Sequence, residues 1–93
     1  MKISKEKKEK ISEQVLLFLY SINPKPAFTL HISQEIARDE EFIKKILLEL
    51  ENKKLVIKIR KNPQGIDYKK RLRWRLSDKA YQAYKANQIH EPQ

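Results

Sequence analysis

Apolar residues recur at helical spacing near the start of the chain. Ile11, Val15, Phe18, Leu19 and Ile22 fall on one face of a helix predicted over residues 2–22. Asn23-Pro24-Lys25-Pro26 ends it, because each proline lacks an amide donor and pushes the residue before it toward extended backbone. A short extended piece is predicted at Phe28 to Leu30. From Ser33 to Asn62 there is neither glycine nor proline, so a break between helices has to come from weaker signals. Ile32, Ile36 and Ala37 fit one short helix, after which Arg38-Asp39-Glu40-Glu41 interrupts the apolar pattern. Asp39 is suited to cap the next helix, and Glu40 and Glu41 suit its first turn. That second helix, from about Glu40 to Lys53, would bury Phe42, Ile43, Ile46, Leu47 and Leu50. The rival reading is one unbroken helix from Ser33 to Lys53.

The period then changes to two. Along Leu55 to Lys61, Leu55, Ile57 and Ile59 alternate with Val56, Lys58 and Arg60, which predicts a strand with the first set toward the core. Asn62-Pro63-Gln64-Gly65 has the residues a type I turn favours, and Lys70 to Leu76 alternates again. Leu72, Trp74 and Leu76 share one side and Arg71, Arg73 and Arg75 the other. Paired, the two strands make a hairpin with an aliphatic and tryptophan face for the core and a solvent face of Lys58, Arg60, Arg71, Arg73 and Arg75. Ser77 is placed to cap a last helix, Asp78 to Gln88, with Ala80, Tyr81 and Tyr84 inward. Residues 1–88 read as a single domain and residues 89–93 as a tail.

Charge adds what hydropathy does not show. The chain has 93 residues and a formal net charge of +9. Between Lys53 and Arg75 lie ten basic residues against Asp67 alone, so this segment carries a charge equal to that of the whole protein. The other residues form a neutral body. A cationic segment of this kind attracts polyanions, nucleic acid above all and an anionic membrane face less often. Cysteine is absent, which rules out disulfides and thiolate zinc sites and suits a reducing, cytoplasmic compartment. The apolar run Val15 to Tyr20 is far short of the roughly 20 residues that span a bilayer, and no membrane association is expected.

Catalytic chemistry finds no foothold. Gly65 is the only glycine, so there is no glycine-rich phosphate loop, and no nucleophile has a base at a recognisable spacing. His31 and His90 are isolated from any metal-ligand pattern, and no cofactor is expected. Trp74 shares a face with Leu72 and Leu76 and reads as core; Tyr81 and Tyr84 read as packing.

The order helix, short strand, helix, helix, two-stranded hairpin, helix resembles the winged-helix DNA-binding domains of bacterial and archaeal transcription regulators, including the multiple-antibiotic-resistance and PadR groups. The likeness lies in Ile43, Leu47, Leu50 and Leu55-Val56, which match the apolar spacing of a recognition helix running into a Leu-Val strand start. Leu76-Ser77-Asp78-Lys79-Ala80 looks like the family's Leu-Thr-x-Lys-Gly opening of the last helix. It spans about residues 11–88. There are two departures. Ile36-Ala37 stands only six residues from Ile43, so the turn is trimmed or absent. Lys54 stands where the family commonly has glycine, so that helix end is expected to lack its usual left-handed residue.

The resemblance implies an α+β winged helix: a helix-turn-helix, a two-stranded β wing and a C-terminal helix. It further implies a transcriptional regulator binding double-stranded DNA as a homodimer through its N- and C-terminal helices. Glu41, Lys44, Lys45, Leu48, Glu51 and Asn52 would line the outward face of the recognition helix, and the acidic start of that helix suits DNA poorly. The wing therefore leads: Lys58, Arg60, Lys61, Lys69, Lys70, Arg71, Arg73 and Arg75 would neutralise phosphates or enter a minor groove, with sequence readout from Lys44, Lys45 and Gln64. The alternatives are a protein-interaction adaptor, in which Leu48 and the acidic turn meet a partner chain, and an RNA-binding domain.

Overall fold

The computed structural model describes residues 4–60 and 72–90, the last four of these by backbone alone. Its elements run α1 (Lys5–Ile22), β1 (Ala27–Phe28), α2 (Thr29–Ile36), α3 (Glu40–Asn52), β2 (Val56–Ile59), β3 (Arg73–Leu76) and α4 (Asp78–His90). The class is α+β, as the sequence predicts.

The helix ends are set by side-chain and backbone chemistry. Ser4 caps α1, accepting a hydrogen bond from the Lys7 amide at 3.2 Å. Of the two readings of residues 33–53, the two-helix one is correct. Asp39 caps α3 by accepting from the Phe42 amide at 3.2 Å, and Ala37 ends α2 in the left-handed region at φ 61°, ψ 47°. The Ala37 and Arg38 amides donate back to the Gln34 and Ser33 carbonyls, which closes α2 in a Schellman arrangement. The turn is thus short but present. α3 closes in the same way: Lys54 takes φ 65°, its amide donates to the Glu51 carbonyl, and the Leu55 amide donates to the Leu50 carbonyl. The left-handed residue of the family pattern is kept although its glycine is not. Ser77 caps α4, accepting from the Ala80 amide at 3.1 Å.

Two boundaries differ from expectation. The extended piece is Ala27–Phe28, and Thr29 and Leu30 already belong to α2, so that helix starts earlier than its apolar pattern indicates. α4 runs to His90, two residues past the predicted end, and takes in the first residues of the expected tail.

The sheet is antiparallel with order β1-β3-β2. Ala27 and Phe28 sit opposite Trp74 and Arg73, while Val56, Ile57, Lys58 and Ile59 sit opposite Leu76, Arg75, Trp74 and Arg73. Residues directly opposite share a face, so one face carries Ala27, Trp74, Lys58, Leu76 and Val56, and the other Phe28, Arg73, Ile59, Arg75 and Ile57. This inverts the predicted faces of β2. Val56 is buried and Ile57 and Ile59 are half-buried on the arginine side.

The core gathers Ile11, Val15, Leu16 and Leu19 of α1, Ile32 of α2, Ile43, Ile46, Leu47 and Leu50 of α3, and Val56, Trp74 and Leu76 of the sheet, with Ala80 of α4 closing it. Trp74 is fully buried and its indole N–H donates to Thr29 Oγ1 at 2.7 Å, satisfying the one polar atom of that side chain. On the edge of this core, Tyr20 of α1 meets Tyr81 and Tyr84 of α4 at ring-centroid distances of 5.4 and 5.8 Å.

Candidate nucleic-acid interface

α3 turns Ile43, Ile46, Leu47 and Leu50 inward, which leaves Glu41, Lys44, Lys45, Leu48 and Asn52 on its outer stripe, all exposed. This agrees with the predicted outward face except at Glu51, which lies on the flank and is half-buried. Glu40 and Glu41 occupy the first turn, where the helix dipole favours carboxylates. Lys44 lines an open groove of about 470 Å³ together with Glu40, Glu41, residues of α2, Phe28 of β1 and Leu72 just before β3. The start of α3 and the residue that leads into β3 therefore border one concavity.

The basic residues of the strands divide into groups. Arg60 is exposed just beyond β2. Lys58 is on the Trp74 face, and its ammonium pairs with Glu51 of α3 at 3.6 Å. Its aliphatic stem runs along that face while the charge reaches the helix, as long cationic side chains commonly do. The predicted place of Lys58 on the arginine face is thus corrected. Arg73 lies over the Phe28 ring, 5.7 Å from its centroid. Arg75 donates to the Leu76 carbonyl at 2.9 Å and pairs with Asp78 at 3.6 Å, tying the end of β3 to the start of α4. Lys61, Gln64, Lys69, Lys70 and Arg71 lie outside the described residues, as does the predicted Asn62–Gly65 turn.

Two features of this surface were not anticipated. Lys8 of α1 pairs with Glu49 of α3, and Glu51 pairs with Lys58. Neither is a local sequence signal, since each pair joins residues from different elements. His31, which looks isolated in sequence, packs edge-on to Phe18 at 5.5 Å and stands 3.6 Å from Glu35. Among the described residues no group of three or more His, Asp or Glu is placed to hold a metal, and no helix is long and apolar enough to cross a membrane.

The sequence matches no family model and no curated protein. The fold is similar to that of several solved structures. MepR, a transcription regulator of the Staphylococcus aureus multidrug efflux pump MepA, superposes with a TM-score of 0.67 at 19% identity, covering 85% of this chain and 54% of that one. The MepR–DNA complex gives 0.72 at 19% identity over 90% of this chain and 66% of that one. ZitR of Lactococcus lactis, a zinc-responsive MarR family member, gives 0.64 at 18% identity over 97% and 54%. The chain thus spans between about half and two thirds of the length of these proteins.

Proposed function

From a winged-helix fold that it shares with these regulators, we propose that the chain is the DNA-binding domain of a cytoplasmic transcriptional regulator, with the wing as its main contact. The observation that carries this reading is the coincidence of a helix-turn-helix with a charge of +9 concentrated in the adjoining segment from Lys53 to Arg75. Backbone phosphates are the natural counterpart of such a segment, and an arginine from it suits a narrow minor groove. Arg60, Lys61, Lys69, Lys70, Arg71 and Arg73 are the cations assigned to the wing contact. Lys44 and Lys45, on the exposed stripe of α3, would approach base edges, as would Gln64.

The similar structures support DNA as the partner, since MepR has been solved in complex with DNA. A homodimer through α1 and α4 fits this function, because two half-sites multiply a modest single-domain affinity. The Tyr20, Tyr81 and Tyr84 cluster bridges those two helices and would form part of such a contact.

The test is direct binding to a random-sequence duplex of about 20 base pairs at low salt, with an RNA duplex and a single strand beside it. Retention of the DNA duplex in preference to both supports the proposal. No retention of any duplex overturns it and leaves the adaptor reading, in which Leu48, 40% exposed, and the acidic turn of Asp39 to Glu41 engage a protein.

A further inference from the structure

The outer stripe of α3 mixes two lysines with an acidic start, and two further glutamates border it. At about 100° per residue, Glu49 and Glu51 fall about 80° to either side of Glu41, so they flank the stripe on opposite edges. Carboxylates so placed repel approaching phosphates. Each is met from outside the helix. Lys8 of α1 pairs with Glu49 on one flank, and Lys58 of β2 pairs with Glu51 on the other. Glu41 itself lies in the first turn, where the helix N-terminus offsets its charge. These three carboxylates are therefore compensated, each by a different element.

We propose that Lys8 and Lys58 serve DNA binding as positioning residues that neutralise Glu49 and Glu51, and that neither touches phosphate. The Lys58 side chain is only 17% exposed and belongs to the face of the sheet that holds Trp74, which suits an ammonium that serves α3 better than one that reaches a polyanion. Lys8 lies on α1, away from the cationic segment altogether. Its contribution would otherwise have no place in a wing-led contact. This inference rests on the duplex-binding reading above.

The test is a double-mutant cycle in duplex affinity: Lys58→Gln, Glu51→Gln and both together, with Lys8→Gln and Glu49→Gln as a second cycle. Thermal unfolding of each variant is measured alongside. Masking predicts opposite signs for the two partners. Lys58→Gln weakens binding by about three- to fivefold, the range an ion pair of this exposure supports. Glu51→Gln does not weaken it, and the double variant returns to within about twofold of the parent. The second cycle repeats the pattern. A double variant as weak as Lys58→Gln, with a salt dependence shallower by about 0.9, identifies a direct phosphate contact and overturns the proposal. Equal weakening by Lys58→Gln and Glu51→Gln, with matched losses of thermal stability, identifies a purely structural pair and also overturns it. Binding by the parent with either of these results leaves the function standing. No duplex binding by the parent overturns both.

Discussion

Ala37 and Lys54 hold left-handed backbone at φ 61° and 65°, a conformation in which a Cβ costs about 1–2 kcal/mol and glycine almost nothing. Both close helices by Schellman hydrogen bonds, so the conformation is imposed by the helix end and the side chain bears the strain. Lys54→Gly and Ala37→Gly are each expected to raise stability by about 1 kcal/mol, measured as a later urea midpoint at unchanged slope. Lys54 is visible in the sequence as a departure from glycine, yet the left-handed turn does not disappear with the glycine. The hydrogen bonds that enforce the turn belong to residues 50 to 55 together, and one position does not reveal them. Tyr84 makes a different prediction. Burial and, after it, the nearby Glu13 carboxylate raise its phenol pKa above the usual 10.0. The folded state therefore favours the protonated phenol. Its stabilisation is fully present below pH 10 and is lost as pH rises from there through the folded pKa. Between about pH 9 and 12 the parent should lose thermal stability faster than Tyr84→Phe, and parallel curves would refute the assignment.

At the scale of elements, caps, periodicity and the faces of β3 were legible, and the faces of β2 were not. Ser77, Asp39 and the apolar spacing of α1 and α3 marked their helices because N-capping and amphipathicity are local properties. β2 misled because three aliphatic residues, Leu55, Ile57 and Ile59, alternate against Val56 alone. The face is set by where α3 stops: the Leu55 amide is used by the helix end, and Val56 becomes the first residue of the strand, opposite Leu76. A shift of one residue exchanges the faces of a strand. This register is testable by charge. Val56→Asp places a carboxylate in the core opposite Leu76 and should cost about 3 kcal/mol or more. Ile59→Lys, on the arginine side at the outer end of β2, should cost about 1 kcal/mol or less. The reverse order in chemical denaturation would restore the face assignment read from alternation. The short strand before α2 was legible but its end was not, since Phe28-Thr29-Leu30 reads as extended while Thr29 already begins α2, where its hydroxyl meets the Trp74 indole.

For the whole molecule, the order of elements and the concentration of charge were both readable in one dimension, and together they identify the fold and the candidate surface. The distribution of that charge was not, because ion pairs between α1 and α3, between β2 and α3 and between β3 and α4 join residues distant in sequence or engage them locally. Lys58 and Arg75 emerge with carboxylate partners inside the molecule, which leaves the proposed contact to Arg60, Lys61, Lys69, Lys70, Arg71 and Arg73. The most direct test is the salt dependence of affinity for a random duplex, compared between the parent and a variant with those six residues changed to glutamine, after circular dichroism has shown both to be folded. A wing-led contact predicts a steep logarithmic slope in the parent that flattens in the variant by about 0.9 for each phosphate the wing no longer neutralises. An unchanged slope in a folded variant would contradict it.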